Sequence, residues 1–327
     1  MISRRTFSAL ALGAVSLAPV TGPALAQSKF PGKPLRILVP FPPGGSTDIL
    51  ARALAAQLTA SMGVPVVVEN KPGASGTMGS EILARAAPDG YTIGIAVPGT
   101  HTLPVALGRK VPYDPFKDFT PLSIPVTNPL AIVVSADLPV RTLKELVEYA
   151  KKNPRKLSYG TSGAGTSQHL MGEMLNQFAG IDIQHVPYKG GSGAMNDLLG
   201  KQIQVTYAVI ATVLQHVRAG KLKILAVADD QRYADLPDVP TTQEALPGFQ
   251  PKTSWMGVFG PAKLPAAIAS YLTAELQKAV RDPEVGKYLS SNGMPVVGSN
   301  AEQFTARMRE DIEGWTPVIR AGKITAD

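Results

Sequence analysis

Hydrophobic positions along this chain switch between two periods. Short apolar runs at 35–40, 64–68, 92–97 and 130–134 read as strands, and between them apolar residues recur at helical spacing, as in Ile49, Leu50, Ala53, Leu54 and Leu58. That stripe predicts a helix over 46–62. Ile82, Leu83 and Ala86 mark a second helix, and a third starts at Thr142, with Glu145 three residues on as a capping-box acid. A further series follows, in which strands at 156–159, 183–186, 203–207 and 222–228 alternate with helices near 166–179, 192–199 and 211–219. Such alternation predicts an α/β chain built on mostly parallel sheets. Asp235-Leu236-Pro237-Asp238-Val239-Pro240 and Leu246-Pro247-Gly248 punctuate the chain as loops. From Pro265 the pattern is helical, with a break at Asp282-Pro283 and a last amphipathic stretch over 301–319. If the part after about Trp255 packs back on the first series, the chain crosses between two lobes near Asn128 and again near Ser254. The expected lobes are then 27–128 with 254–327, and 129–253, joined by a hinge.

The amino end adds an address. Ser3-Arg4-Arg5-Thr6-Phe7 is a twin-arginine pattern, an apolar stretch covers 9–20, and Ala24-Leu25-Ala26 is a small-x-small cleavage site. Pro19, Gly22 and Pro23 interrupt the stretch, which falls short of the roughly 20 residues a membrane span needs, so 1–26 reads as an export signal, not an anchor. The expected mature chain begins near Gln27 and works in the periplasm. Cysteine is absent, which removes disulfides, thiolate metal sites, a cysteine nucleophile and a lipoprotein anchor. Without Arg4 and Arg5 there remain 30 Lys+Arg against 25 Asp+Glu, a formal +5 that suits anionic ligands. The basic residues are scattered, without a run interleaved with aromatics, which argues against nucleic acid.

The chemistry concentrates in Gly-rich connections that leave strands and enter helices. Phe41-Pro42-Pro43-Gly44-Gly45-Ser46-Thr47-Asp48 follows the first strand, with Ser46 as the expected N-cap and Asp48 complementing the helix dipole in the first turn. Amide N–H groups at such a helix start attract a carboxylate or phosphate. Ser158-Tyr159-Gly160-Thr161-Ser162-Gly163-Ala164-Gly165-Thr166-Ser167 repeats the arrangement, and the two are expected to face each other across a cleft. Glu69-Asn70-Lys71-Pro72-Gly73-Ala74-Ser75-Gly76-Thr77 is a third such connection, equally readable as an ordinary turn or as part of a site. Enzyme signatures fail. Gly200-Lys201 is followed by Gln202, not Ser or Thr, and no G-x-S-x-G elbow is present. His101, His169, His185 and His216 are dispersed, so no metal or other cofactor is expected. His169 stands seven residues after Ser162, and a secreted serine hydrolase using this pair is the alternative reading; a hydrogen bond from His169 that orients the loop is the expected role.

Phe41 to Asp48, then Val68-Glu69-Asn70-Lys71-Pro72-Gly73-Ala74-Ser75-Gly76, Ala87-Pro88-Asp89-Gly90-Tyr91-Thr92, Val186-Pro187-Tyr188-Lys189-Gly190-Gly191 and Leu236-Pro237-Asp238-Val239-Pro240-Thr241 together resemble the Bug receptors. These are the periplasmic solute-binding proteins of tripartite tricarboxylate transporters, and the resemblance covers essentially the whole mature chain. It implies a type II periplasmic-binding-protein fold, two α/β lobes closing on a small organic carboxylate, in a monomer that is not an enzyme. It further implies that Thr161, Ser162, Gly163, Gly165, Thr166 and Ser167 hold a ligand carboxylate, with the loop from Pro42 to Asp48 facing them through ordered water. Partners implied are a membrane transporter or, alternatively, a membrane sensor to which the protein signals without delivering solute. One departure stands out: where similar chains carry an acidic residue after Ile203-Gln204-Val205-Thr206-Tyr207, this one has Ala208-Val209-Ile210-Ala211. An amino-acid ligand loses its ammonium partner there, and the expected ligand is a carboxylate without an amine, with Ala208 and Val209 lining an apolar part of the site.

Overall fold

The computed structural model describes residues 30–325 apart from 230, 234, 252 and 323; the expected export signal, 1–26, lies outside the described residues. The chain opens with β1 (Leu35–Val39), α1 (Ser46–Met62), β2 (Val66–Asn70), α2 (Thr77–Ala84) and β3 (Thr92–Ala96). Two short helices, α3 (Pro98–His101) and α4 (Leu103–Ala106), lead to the long strand β4 (Phe119–Thr127). The next lobe holds β5 (Leu130–Ser135), α5 (Leu143–Lys152), β6 (Ser158–Thr161), α6 (Ser167–Ala179) and β7 (Gln184–Pro187). It continues with α7 (Gly191–Leu199), β8 (Val205–Val209), α8 (Ile210–Arg218), β9 (Leu222–Ala228) and α9 (Thr242–Ala245). The chain then returns to the first lobe as β10 (Trp255–Pro261), followed by α10 (Ala266–Arg281), α11 (Pro283–Ser291) and α12 (Ala301–Gly322).

The two five-stranded sheets share one plan: β2-β1-β3-β10-β4 in lobe 1 and β7-β6-β8-β5-β9 in lobe 2. Three strands pair in parallel in each, as Leu35 with Val66 and Arg36 with Thr92, or Tyr159 with His185 and Val205. The fourth strand is antiparallel to both its neighbours. It is also the strand that has just arrived from the other lobe, β10 in one sheet and β5 in the other. The sheets are therefore mixed, where hydrophobic pattern alone predicts mostly parallel ones: an apolar run buried on both faces does not encode its direction.

β4 went unread in the sequence because Pro121 and Pro125 interrupt it. It lies at the sheet edge, where a missing N–H costs no ladder bond, and its Pro125 carbonyl accepts from the Val297 amide at 2.9 Å. β10 carries Gly257 and Gly260 but is buried along its whole length. Alternation of side chains then builds a core on each face. In β1, Leu35, Ile37 and Val39 join one cluster with Leu50, Leu54 and Leu58 of α1, while Leu38 joins another with Trp255 and Phe259. In β5, Leu130, Ile132 and Val134 face one side and Ala131 and Val133 the other. Burying each α1 leucine contributes about 1.5–3 kcal/mol, and truncating Leu54, fully buried, costs about 2–5 kcal/mol. α1 stops where Gly63 takes φ 71°, a left-handed cap that a side chain resists.

The crossings lie side by side: the Asn128 amide donates to the Ser254 carbonyl at 2.8 Å. α12 spans both lobes, with Phe304 and Met308 packed on the lobe-1 core and Trp315 and Ile319 meeting Leu103 of lobe 1 and Leu170 of lobe 2.

Candidate functional site

Three loops at the carboxyl ends of β1, β2 and β6 converge, the position where open α/β sheets place their sites. A Cβ placed on Gly163 would lie 3.7 Å from Ser75 Oγ, so the β2–α2 loop of lobe 1 touches the β6–α6 loop of lobe 2. A Cβ on Gly76 would meet the Phe41 ring at 3.0 Å, which sets the β1–α1 loop against the same place. Ser75 was left undecided by sequence reasoning and now stands at the meeting point. Ala74 and Ser75 hold left-handed φ of 47° and 55°, a conformation costing about 1–2 kcal/mol per residue. Two successive left-handed non-glycine residues were the missed consequence of a single permissive glycine on either side, Gly73 and Gly76.

The lobe-1 loop is organised by one carboxylate. Asp48, 4 % exposed, accepts from the Gly44 amide at 3.0 Å, from Arg52 Nε at 2.9 Å and from Asn70 Nδ2 at 3.0 Å. Asn70 also donates to the Phe41 carbonyl at 3.1 Å. Burial pushes the Asp48 carboxyl up, but the hydrogen bonds from Arg52, Gly44 and Asn70 outweigh it and hold the group below the usual carboxylate value. Gly44 turns the loop with φ 86°. The N-cap is Gly45, not Ser46 as expected: Asp48 reaches back to the loop amide, and Ser46 becomes the first helical residue. No side chain caps α1, and the Ser46 and Thr47 amides have no partner among the described residues. Pro42 and Pro43 are exposed at the loop tip.

The lobe-2 loop is organised by neutral side chains. Thr161 Oγ1, fully buried, accepts from the Gly163 amide at 3.2 Å and lies 2.7 Å from His185 Nε2. Thr166 is the N-cap of α6; its Oγ1 donates to the Gly163 carbonyl at 2.8 Å and accepts from the His169 amide at 3.4 Å. The Gly165 amide donates to His169 Nδ1 at 3.1 Å, and the Ser162 amide to Gln168 Oε1 at 2.6 Å. His169 and His185 stack with centroids 3.9 Å apart, and Tyr159 stacks on the far face of His185. Burial lowers the pKa of His169, and burial with the neighbouring His169 lowers that of His185 to about 4, so both rings are neutral near pH 7. Gly163 takes φ 141°, open to glycine. Ser167 starts α6; its amide and that of Gln168 have no partner among the described residues, and no acid stands in the first turn.

His169 thus spends its unprotonated ring nitrogen, Nδ1, on the loop backbone, and in the neutral ring Nε2 carries the proton. Ala208 sits in an apolar cluster with Ala131 and Val213, and Val209 caps α8 opposite Leu130 at the first crossing. Gln168 and His185 complete the constellation without having been expected as site residues, Gln168 from the first turn of α6 and His185 from β7 beside β6, while Asn70 and Ser75 come from the Glu69–Thr77 connection that the sequence leaves open. Among the described residues no cluster of three or more metal-ligating side chains occurs, and no helix is long and apolar enough to cross a membrane.

Residues 50–324 match the model of the tripartite tricarboxylate transporter family receptor, TctC. Protein BugT of Bordetella pertussis strain Tohama I is 32 % identical over 311 residues, 94 % of either chain. An R. palustris protein whose structure contains adipate superposes with a TM-score of 0.86 at 31 % identity, over 90 % of this chain and 99 % of that one. MatC from Rhodopseudomonas palustris with bound malate gives 0.81 at 32 % identity, over 89 % and 100 %. The fold is that of the periplasmic binding proteins.

Proposed function

Because the chain belongs to the tripartite tricarboxylate transporter receptor family of Bug-type solute-binding proteins, we propose that it acts in the periplasm, closing its lobes on a small organic carboxylate for a membrane transporter. The observation that carries this reading is the lobe-2 loop. Its backbone is pinned by Thr161, Thr166, Gln168 and His169, and it offers the Ser167 and Gln168 amides with the Ser162 and Ser167 hydroxyls at a helix start free of acidic residues. Lobe 1 contributes the Ser46 and Thr47 amides and Ser75. The bodies that close are 27–128 with 254–327 and 129–253, hinged at Asn128 and Ser254. The adipate and malate held by two relatives support an acid as guest.

Micromolar affinity corresponds to about −8 kcal/mol. Two helix starts at up to about 2 kcal/mol each leave half of that unmet, before ordering costs. Charge-assisted hydrogen bonds of about 1.5–3 kcal/mol apiece from amides and hydroxyls supply the rest as closure expels water. Contacts made only when the lobes shut are what shift the equilibrium.

Among the described residues of the two loops an ammonium on the guest has no free counter-charge: Asp48 is committed to Gly44, Arg52 and Asn70, and Ala208 and Val209 are apolar. The guest is therefore a carboxylate without an amine. His169 gives Ser162 no free base, because its Nδ1 accepts from Gly165, which supports a binder over a serine hydrolase. A thermal-shift screen of mono-, di- and tricarboxylates tests the reading, since a guest that binds only the folded state raises Tm. Acids are expected to raise it and their α-amino analogues to leave it unchanged; stoichiometric labelling by a serine-reactive fluorophosphonate, with no acid response, would overturn it.

A further inference from the structure

Beside the open Ser167 and Gln168 amides lies one more loop donor, the Ser162 amide, which in this structure is spent: it donates to Gln168 Oε1 at 2.6 Å. Because the donor is an N–H, the atom of the Gln168 carboxamide that meets it must be the oxygen, and the assignment of the amide follows from chemistry. The other internal acceptors of the loop differ in kind. Thr161 is fully buried and His169 is 8 % exposed under the loop, stacked on His185, so neither leaves without dismantling the backbone turn. Gln168 is partly exposed, stands on the first turn of α6, and has three rotatable bonds. It can swing away while Thr161, Thr166 and His169 keep the turn.

Resting on the carboxylate reading of this loop, we propose that Gln168 is a specificity-determining residue, a tethered neutral stand-in for the guest oxygen that only an ionised carboxylate displaces. The argument is a difference of affinities. A neutral oxygen from an amide, ester or alcohol replaces the Gln168 oxygen with a bond of the same strength and gains nothing. A carboxylate oxygen forms a charge-assisted bond about twice as strong, so it wins the exchange. Gln168 therefore weakens every guest by the same internal competition, and leaves only ions above the threshold. By this exchange a loop held only by neutral groups would discriminate acids from their uncharged amides.

The test is an NMR titration of the ¹⁵N-labelled protein with acetate and, separately, with its neutral counterpart acetamide. In the parent chain acetate is expected to move the Ser162 amide signal and acetamide to leave it in place. In Gln168→Ala both move it, and half-saturation by acetate comes at about tenfold lower concentration. In Gln168→Glu, where a tethered carboxylate holds the Ser162 amide permanently, acetate no longer moves it. The Gly44 amide, bound to Asp48 in the other lobe, reports that each variant is folded. If acetamide moves Ser162 as readily as acetate in the parent, or if Gln168→Ala leaves acetate half-saturation unchanged or higher while the Ser167 amide still responds, the stand-in role is overturned and the carboxylate site survives. If neither Ser162 nor Ser167 responds to acetate in any of the three proteins, the carboxylate reading of the loop falls and takes the stand-in with it.

Discussion

The two lobes repeat one sheet plan, but the loops they bring to the cleft are held by opposite means. In lobe 1 a buried, ionised Asp48 gathers Gly44, Arg52 and Asn70 around itself. In lobe 2 only neutral groups, Thr161, Thr166, Gln168 and His169, hold the turn. The difference matters because an anion-attracting helix start is a field as well as a set of donors. Asp48 places a negative charge within the first turn of α1 and offsets that field, whereas α6 starts without an acid. On the proposed function, lobe 2 is thereby the stronger seat for a carboxylate, and lobe 1 the wall that would close over it. Identical topology does not give identical sites.

The largest effect expected from breaking this asymmetry is in lobe 2. Removing the Ser162 hydroxyl and the Thr166 cap with Ser162→Ala and Thr166→Ala should weaken the best acid of the thermal screen by roughly tenfold or more in calorimetry, since about 1.5–3 kcal/mol attaches to a charged hydrogen bond from Ser162 and the Thr166 hydroxyl holds the Gly163 carbonyl in place. Circular dichroism should report a folded protein, with the lost α6 cap costing about 1 kcal/mol. Unchanged affinity would remove this loop from the site.

Acid should separate the loops. His169 and His185 have folded pKa values below the ordinary 6.5, so the unfolded chain binds more protons than the folded one and the stability they confer is full above pH 6.5. The share of His185 is lost as the pH falls through about 4; protonation of His169, also displaced below 6.5, breaks the Gly165 amide bond to its Nδ1. Asp48, held below its usual 3.8, keeps its contribution until the pH drops lower still. Amide signals followed against pH should show Gly165 changing before Gly44; the reverse order would refute the assignment of neutral and charged supports.

A smaller change is expected on neutralising lobe 1. Asp48→Asn retains one acceptor but no charge, and should cost stability of about 1 kcal/mol while strengthening acid binding up to about fivefold, because the α1 dipole is no longer offset. Weaker binding would mean that loop order outweighs the field. Smallest is Ser75→Gly, which relieves a left-handed residue and should raise stability by up to about 1 kcal/mol in denaturant titrations. A simultaneous fall in acid affinity would identify that strained loop as a working part of the cleft.

Much of this was legible along the chain. The strand-to-helix order around Phe41–Asp48 and Thr161–Ser167 announces amide-rich turns, and the loop-orienting role expected of His169 is met by its bond to the Gly165 amide. Ser46 was misread as a cap because the acceptor that replaces it, Asp48, acts backward across the turn. Asn70 and His185 escaped notice in these roles for another reason. They reach the loops because Asn70 pairs beside Val39, and because β7 runs parallel beside β6 in the register that sets His185 against Tyr159. β4 was invisible because its prolines are tolerable only on a sheet edge, and the edge exists only once β10 has returned from lobe 2.

By itself, then, the sequence determined the elements, the glycine turns, the missing cysteine chemistry and the family resemblance, all of which depend on residues within a few positions of one another. Which amides stay open to a guest and which are already satisfied was decided only in three dimensions. Each backbone donor takes whatever acceptor the folded turn sets beside it: the Gly44 amide finds Asp48 and the Ser162 amide finds Gln168 because the following helix brings those side chains back over the loop.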